Sequence, residues 1–439
     1  MRKLLVVDGL IKQYNKIHYL TYGCKVNQFD TDKIKSIVPN SFEESPDLGK
    51  SDICIINTCT VTDATDNQIL KDLRKIKKDF PKIKTLVTGC LAQTTPEVLK
   101  ASSDVDFIVD NANKYLIPKV LNNLEAYKNE VVSDIFALDE FDDFDEGIKE
   151  NRSRAFLKIQ DGCNYRCSFC IIPFARGKSR SMNNDSLLDK ISYLHDCGFN
   201  EVVLTGIHLS SYGLDRNQSL LELLQKIEKY SPIKNIRLSS IDPADTSLEM
   251  IDFISQSEKI CPSFHISMQS GNNEILREMR RRYKISSFTK LTNYIRDHIP
   301  DACIGTDVIV GFPGETEDLF LETYNYIKNS ELNYLHVFPY SDRKGTRASL
   351  KTDKIDNFDK KIRSKKLRML ADKLKEEFQS KYIGKTLLGI KEKNNKVRTR
   401  NYIDVNIADS KIEQGRIVKV KIDEILNKKV LGSIIPHQG

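Results

Sequence analysis

The stretch Asp161-Gly-Cys-Asn-Tyr-Arg-Cys-Ser-Phe-Cys-Ile171 contains three cysteines, Cys163, Cys167 and Cys170, in the pattern C-x3-C-x2-C. Three thiolates this close in sequence can bind one face of a four-iron iron–sulfur cube, whereas electron-carrier clusters use four cysteines. A zinc knuckle is the alternative, but structural zinc sites are closed by a fourth Cys or His. The next His or Cys along the chain is His195, 25 residues after Cys170. The stretch therefore predicts a cluster with one iron left open for chemistry.

This spacing resembles the signature of the radical S-adenosylmethionine (SAM) enzymes, and Tyr165 and Phe169 stand where that family usually has aromatic or apolar residues. The resemblance implies that Cys163, Cys167 and Cys170 are catalytic and hold a [4Fe–4S] cluster whose open iron chelates SAM. It also implies that an electron from this cluster cleaves SAM into methionine and a deoxyadenosyl radical, so that the cofactor performs the difficult step and the protein orients it.

The composition is that of a soluble globular protein with two or three domains, since 40% of the 439 residues are hydrophobic and 29% are charged. Ten cysteines in so long a chain do not indicate a secreted disulfide scaffold, and cysteines in a cytoplasmic protein are more often metal-binding or catalytic. No apolar run reaches the ~18–20 residues of a membrane span. Residues 1–15 fit no element, and Asp8 interrupts their apolar run, which argues against a signal peptide. We expect a cytoplasmic protein with no membrane contact.

Three β-like runs near the N-terminus each lead into a cysteine, namely Cys24, Cys59 and Cys90. Helix-like segments at 28–36 and 66–79 separate the runs, which favours parallel βαβ units of a Rossmann- or flavodoxin-like domain. The carboxyl ends of parallel strands share one edge, where ligands bind. We therefore expect these three thiols to meet in space. Further strand candidates place the sheet at residues 16–23, 52–58, 83–89 and 105–110.

The alternative for these cysteines is that they are buried core thiols. That interpretation suits Cys54, which lies in the middle of an apolar strand. It suits Cys24 and Cys90 less well, because Gly23 and Gly89 precede them and glycine lets the backbone approach a bulky ligand.

The three segments Thr21-Tyr-Gly-Cys-Lys-Val-Asn-Gln28, Ile56-Asn-Thr-Cys-Thr-Val-Thr62 and Val87-Thr-Gly-Cys-Leu-Ala-Gln93 resemble the cysteine motifs of the methylthiotransferases. The resemblance implies that Cys24, Cys59 and Cys90 hold a second [4Fe–4S] cluster. The Lys-Val-Asn-Gln sequence after Cys24 resembles the branch of that family that acts on tRNA carrying threonylcarbamoyladenosine.

The remainder predicts a central partial (β/α)6 barrel followed by a small β-barrel. An acidic segment at 139–146 reads as a connection, and six strand candidates alternate with six helices after it. Short strands near the C-terminus suggest a small barrel that resembles the RNA-binding TRAM domain. Residues 371–439 hold 15 Lys and Arg against 9 Asp and Glu, which favours a polyanionic partner. The predicted domains are 16–136, 151–375 and 380–437.

Parallel barrels place their chemistry at the carboxyl ends of their strands, and polar residues follow several of the predicted strands. These positions resemble the strand ends with which the family cradles SAM. The resemblance implies that Gly206, Ser240, Gln269 and Arg343 contact SAM, and that Asp307 faces the substrate. Because a polar residue at a strand end is often only a helix cap, each of these assignments has a structural alternative.

The resemblance implies a tRNA methylthiotransferase that inserts sulfur and a methyl group at C2 of N6-threonylcarbamoyladenosine at position 37 of the anticodon loop. Its partners would be that loop, a flavodoxin- or ferredoxin-like electron donor and a sulfur source, and the protein would act as a monomer. One alternative is the same chemistry on isopentenyladenosine in tRNA or on a ribosomal protein residue. Another is an RNA-binding protein whose clusters are structural or redox-sensing.

Overall fold

The computed structural model describes residues 14–124, 130–143, 152–408 and 411–435, which fall into two compact units, Met1–Ile135 and Phe136–Gly439. Residues 1–13 of the unassigned leader and residues 144–146 of the acidic connection lie outside the described residues. None of the helices in the described ranges is long and apolar enough to cross a membrane.

The first unit is a parallel sheet with strand order β2-β1-β3-β4-β5-β6 and helices between the strands. Its strands are β1 (Lys16–Thr21), β2 (Glu43–Glu44), β3 (Ile53–Thr58), β4 (Lys84–Gly89), β5 (Phe107–Val109) and β6 (Glu130–Val131). Its α-helices are α1 (Lys25–Ile37), α2 (Asp63–Asp79), α3 (Cys90–Thr94), α4 (Pro96–Lys100) and α5 (Ile117–Asn122).

Local sequence explains these elements. All six residues of β3 are buried, as expected of a central parallel strand covered on both faces, and Cys54 within it is a fully buried core residue as predicted. Helix α2 begins after Thr62, whose hydroxyl accepts a hydrogen bond from the Thr65 N–H, and two acidic residues in its first turn favour the helix dipole. The predicted βαβ arrangement is therefore confirmed.

The second unit begins with an open barrel. Its strands are β7 (Ala155–Asp161), β8 (Arg180–Ser181), β9 (Glu201–Gly206), β10 (Asn235–Leu238), β11 (Ser263–His265), β12 (Cys303–Val310) and β13 (Tyr334–Pro339). Its helices are α6 (Ile172–Arg176), α7 (Asn184–Asp196), α8 (Leu220–Tyr230), α9 (Leu248–Gln256), α10 (Asn273–Glu278), α11 (Ile285–His298) and α12 (Glu317–Lys328).

Two groups of strands form this barrel, and all of their pairings except β7 with β8 are parallel. They have the orders β10-β9-β7-β8 and β11-β12-β13, and isolated parallel bridges Ile236↔Ile260 and Ile241↔Ile266 connect them. Six strands are those predicted from the sequence. The short β8, which pairs antiparallel with β7, was not predicted, because two residues show no periodicity.

A long helix and a closed small barrel complete the second unit. They comprise α13 (Asn357–Ser380), β14 (Thr386–Glu392), β15 (Lys396–Thr399), β16 (Asp404–Ile407), β17 (Ile417–Leu426) and β18 (Lys429–Ile435). The closed order is β14-β15-β16-β18-β17. Cys303 of β12 packs in the same apolar cluster as Phe378 and Val405, so the small barrel shares a core with the open barrel.

A buried arginine also joins the two barrels. The Arg237 guanidinium, 1% exposed, donates to Glu201 Oε1 at 3.0 Å and to Ser263 Oγ at 2.6 Å. It further donates to the carbonyl oxygens of Arg400 at 3.0 Å and Thr399 at 3.3 Å in the small barrel. A buried charge needs this many partners, because an unpaired one is costly.

Removal of this guanidinium is expected to destabilise the second unit. Arg237→Ala leaves the buried Glu201 carboxylate without its main partner, which costs about 3–5 kcal/mol. Lys234→Ala, at an exposed position just before β10, is the control and should change stability by less than about 0.5 kcal/mol. Urea unfolding followed by circular dichroism measures both, and equal effects of the two substitutions would contradict the assignment.

Candidate active site

Three cysteines of the first unit come together at the carboxyl edge of its sheet. Cys24 precedes α1, Cys59 follows β3 and Cys90 opens α3 directly after β4. Because β1, β3 and β4 are adjacent and parallel, their ends lie side by side. A Cβ at position 23 would lie 2.7 Å from Cys59 Sγ, so the absent side chain of Gly23 admits this thiol.

These thiols also influence one another electrostatically. Burial is the main cause that raises the pKa of Cys59 to about 12, and the thiols of Cys90 and Cys24 add to the effect. Such a thiol becomes a thiolate when a metal replaces its proton.

The side-chain amides of Asn27 and Asn111 and a second glycine, Gly89, fix the loops at this carboxyl edge of the sheet. Asn27 Nδ2 donates to the carbonyl oxygens of Tyr22 at 2.8 Å and Thr58 at 2.9 Å, and Asn111 Nδ2 donates to Cys90 Sγ at 3.6 Å. Gly89 has φ +98°, and a Cβ there would lie 2.4 Å from the Thr58 carbonyl oxygen. The turn into Cys90 therefore requires glycine.

The second group of cysteines occupies the loop after β7. The Cys163 N–H donates to the Gly177 carbonyl at 3.0 Å, and the Cys170 N–H donates to that of Cys167 at 3.1 Å. Burial and then the neighbouring Cys167 raise the pKa of the Cys170 thiol to about 12. Between them, the Ser168 N–H donates to the Met279 carbonyl at 3.0 Å, which ties the loop to the end of α10.

Arg281 contacts this second group and was not singled out from the sequence. Its Nη1 donates to Cys167 Sγ at 3.5 Å and its Nη2 donates to the Ser267 carbonyl at 3.0 Å, while it also pairs with Asp242. Burial raises the pKa of Cys167, and the Arg281 charge opposes that rise. A buried cation here favours a thiolate at Cys167.

His208 and Asp245 form a further polar pair that the sequence did not reveal. His208 Nδ1 lies 3.9 Å from Cys163 Sγ, its Nε2 lies 3.1 Å from Asp245 Oδ2, and Asp245 also accepts from the Tyr165 hydroxyl. Burial lowers the pKa of His208, but Asp245 and Cys163 together raise it to about 9. The only available signal was the position of His208 just beyond the end of β9.

The predicted SAM contacts lie at the same kind of strand end. Gly206 closes β9, and a Cβ there would lie 2.9 Å from Gln160 Oε1. Ser240 is exposed two residues beyond the end of β10. Gln269 has φ +72°, a conformation that costs energy for a residue with a side chain and marks functional positions. The structure gives the place of each residue, and their contacts with SAM stay predictions.

Arg343 and Asp307 are placed differently from each other. Arg343 is buried in the loop after β13, and its carbonyl accepts from the Thr346 N–H at 3.0 Å. Asp307 lies within β12 between two histidines, His265 and His336, at 3.1 and 3.2 Å. The sequence predicted Asp307 as a substrate-facing residue but did not predict its two partners.

Comparison with known proteins agrees with this geometry. Residues 157–327 match the model of the radical SAM superfamily, and residues 16–110 match the family described as uncharacterized protein family UPF0004. The threonylcarbamoyladenosine tRNA methylthiotransferase MtaB of Aquifex aeolicus is 40% identical over 93% of this chain and 100% of its own length. The chain belongs to the radical SAM methylthiotransferase family.

One further relative and one fold neighbour are similar to this chain. The tRNA-2-methylthio-N(6)-dimethylallyladenosine synthase of Dictyoglomus thermophilum is 32% identical over 96% of this chain and 98% of its own. The radical SAM methyltransferase TsrM of Kitasatospora setae, whose structure contains cobalamin and a [4Fe–4S] cluster, is 13% identical with a TM-score of 0.57 over 77% of each chain. That likeness concerns the fold.

Methylthiotransferases use two [4Fe–4S] clusters and SAM, and the residues present fit these groups. Each group of three thiols has the right donors, and in the part of the chain that the structure describes neither has a fourth cysteine beside it, as a cluster that must bind another ligand requires. Buried hydroxyls of Thr205 and Ser239, at the ends of β9 and β10, have no hydrogen-bond partner among the described residues. Because buried polar atoms normally have partners, these two fit a site for a polar ligand such as SAM.

Iron content tests the first group of thiols. Cys59→Ala is expected to lower the iron bound after anaerobic reconstitution from about eight to about four atoms per chain, because one four-iron cluster loses a ligand. Cys54→Ala, in the strand that leads to Cys59, is the matched control, and it should keep about eight because that thiol packs in the apolar core. Eight irons in Cys59→Ala would show that Cys59 is not a ligand.

Proposed function

We propose that this enzyme transfers a methylthio group to C2 of N6-threonylcarbamoyladenosine at position 37 of the tRNA anticodon loop, giving the 2-methylthio derivative. The greater identity to the threonylcarbamoyladenosine enzyme, 40% against 32% for the dimethylallyladenosine enzyme, supports this substrate. The Lys-Val-Asn-Gln sequence at residues 25–28 supports the same branch.

The observation that carries the proposal is the convergence of Cys24, Cys59 and Cys90 at one sheet edge in a chain that also holds a C-x3-C-x2-C loop. An enzyme that only cleaves SAM needs one cluster, whereas sulfur insertion needs a second. We assign Cys163, Cys167 and Cys170 to the first cluster and the strand-end cysteines to the second. When bound, the first cluster supplies the electron that cleaves SAM to a radical able to remove hydrogen from carbon.

The surrounding residues bind and orient. Arg281 places a positive charge beside Cys167, which favours the negatively charged thiolate. Gly206, Ser240, Gln269 and Arg343 are proposed to hold SAM. The C2–H group of adenine is too weakly acidic for a side-chain base to remove its proton. A radical can remove the hydrogen atom instead, and the thiolates would hold the cluster that generates this radical. A base in an RNA loop can leave its stack without melting a duplex.

The proposed reaction requires an electron donor and a sulfur source in the same compartment as the tRNA. We infer a flavodoxin- or ferredoxin-like electron donor, because the cluster must be reduced again for each SAM cleaved. A separate sulfur source is needed because each turnover consumes one sulfur atom. We infer further that the protein acts as a monomer in the cytoplasm, where the tRNA is.

The small C-terminal barrel offers a basic face for RNA. Lys419 and Lys421 alternate with buried residues along β17 and point outwards, and Lys385 is exposed beside that strand. Neither Lys419 nor Lys421 has an ion-pair partner among the described residues. Unpaired lysines in a row suit contacts to phosphates, which position a nucleic acid without selecting its bases.

Nucleoside analysis tests the substrate. A strain that lacks its own threonylcarbamoyladenosine methylthiotransferase is complemented with this chain, and its tRNA is digested and examined by mass spectrometry. The 2-methylthio derivative of threonylcarbamoyladenosine should appear, and Cys163→Ala should abolish it because SAM cleavage is lost. Appearance of the dimethylallyladenosine derivative alone, or modification of ribosomal protein alone, would contradict the substrate.

Salt dependence tests the basic face. The double substitution Lys419→Ala/Lys421→Ala should weaken tRNA binding and reduce the slope of log Kd against log salt by about 2, because about one counterion is released per contact. The control is Arg416→Ala/Lys428→Ala, two exposed cations of the same barrel that already pair with Glu413 and Asp372. Equal slopes for wild type and the Lys419/Lys421 variant would remove this face from the interface.

A further inference from the structure

Two histidines and an aspartate form a connected group on one face of strands β11, β12 and β13. His265 Nε2 lies 3.1 Å from Asp307 Oδ2, and His336 Nδ1 lies 3.2 Å from Asp307 Oδ1. On its other side, His265 Nδ1 lies 3.1 Å from the Tyr334 hydroxyl. The two imidazole rings stack with centroids 5.1 Å apart.

When both imidazoles are neutral, the carboxylate fixes the direction of every hydrogen bond in this group. An ionised carboxylate only accepts, so both histidines donate an N–H to Asp307. His265 therefore carries its proton on Nε2, its Nδ1 is an acceptor, and the Tyr334 hydroxyl must donate to it. His336 carries its proton on Nδ1, so its Nε2 presents a lone pair. Within the described residues nothing bonds to that Nε2.

The group is rigid at its inner end and open at its outer end. A Cβ on Gly305 would lie 1.9 Å from the Tyr334 ring, so this glycine makes room for the tyrosine, which also stacks on Tyr402 at 5.8 Å. The side chain of His265 is 13% exposed and that of His336 is 55% exposed. The hydrogen-bonded series from Tyr334 through His265 and Asp307 to His336, here called the relay, therefore ends at an accessible acceptor, His336 Nε2.

This acceptor lies among the elements of the active site. Asp307 pairs with His336 in register, and Ile309 pairs with Phe338 one step closer to the strand ends. The Gln269 N–H donates to the Asp307 carbonyl at 2.8 Å, so a proposed SAM residue adjoins the relay. Ile309 packs against the same apolar cluster as Phe169 of the cysteine loop.

The outer end has the chemical character of a nucleobase site. Phe338 is 40% exposed and follows His336 by two residues on the same side of β13. An aromatic ring next to a directed hydrogen-bonding group is the usual means by which proteins hold an unstacked base. A carboxylate or phosphate would be repelled by the lone pair of His336 Nε2 and by the negative charge of Asp307. A ligand group that donates an N–H or O–H therefore fits this position better.

We propose that His336 positions the target nucleoside, and that its Nε2 accepts a hydrogen bond from an N–H or O–H of the modified adenosine while Phe338 contacts the base. Asp307, His265 and Tyr334 act through His336 by fixing its tautomer. The inference rests on the proposed function, since it names the residues of that same site that hold the substrate.

The test compares two products of the reconstituted enzyme acting on tRNA that carries threonylcarbamoyladenosine. When the base is badly positioned, SAM is cleaved to deoxyadenosine without modification of the base. His336→Phe should therefore raise the ratio of deoxyadenosine to methylthiolated nucleoside about tenfold. This factor corresponds to the loss of one hydrogen bond of about 1.4 kcal/mol. His336→Gln keeps an acceptor near the Nε2 position and should recover most of the coupling. A purely structural role would lower both products together and leave the ratio unchanged.

Asp307→Asn provides a second, independent variant. The amide can donate to His336 Nδ1, which would force the proton onto Nε2 and turn the outward acceptor into a donor. The ratio should then rise as in His336→Phe, although His336 itself is intact. His298→Phe is the control, because His298 is also a histidine beside an aspartate, Asp252, but lies on the exposed end of α11.

The outcomes separate this inference from the function it rests on. Wild-type enzyme that modifies no tRNA would overturn the proposed function. Wild-type enzyme that modifies tRNA, together with an unchanged ratio in His336→Phe and Asp307→Asn, would overturn only the inference. Loss of a bound metal ion other than cluster iron in His336→Phe would also overturn it, because the three side chains would then be metal ligands.

Discussion

Parallel strand pairing is the constraint on which both candidate cluster sites depend. It brings to one edge residues that are far apart in sequence, because every strand of a parallel sheet ends on the same side. In the first unit this places Cys24, Cys59 and Cys90 together. In the second it gathers the cysteine loop after β7 and His208 after β9. Neither group of ligands needs a long loop, so the scaffold holds each one with little freedom.

Buried thiols impose a second requirement, which is the supply of positive charge. Burial raises the pKa of Cys59 and Cys170 to about 12, so the environment by itself favours neutral thiols. Arg281 opposes this effect at Cys167. The fold places that arginine by ending α10 just before it and by holding it against Asp242. A cation that is itself paired can stay buried next to a cysteine, which an isolated one could not.

The basic residues of α13 and of the small barrel are placed in two different ways. Arg363 of α13 is buried and donates to Glu315 Oε2 at 2.8 Å, and Lys366 pairs with Glu317 at 3.0 Å. These charges stabilise the contact between the long helix and the open barrel. Lys419 and Lys421 instead face outwards. Net charge read from a sequence cannot distinguish paired from outward-facing cations, because it does not show which acidic residues lie opposite.

The sequence by itself predicted both cysteine groups, the long helices and central strands, and the succession of a parallel sheet, an open barrel and a small β-barrel, because cysteine spacing and hydrophobic periodicity are local properties of the chain. The boundaries of the predicted strands fell within a few residues, but the two-residue strands β2, β6 and β8 were not predicted. Only the tertiary structure decided the partners of those cysteines and the relay from Tyr334 through His265 and Asp307 to His336. Such contacts join residues that are distant in sequence. They depend on which strands are neighbours and on their exact register, which the local pattern of these short strands does not specify.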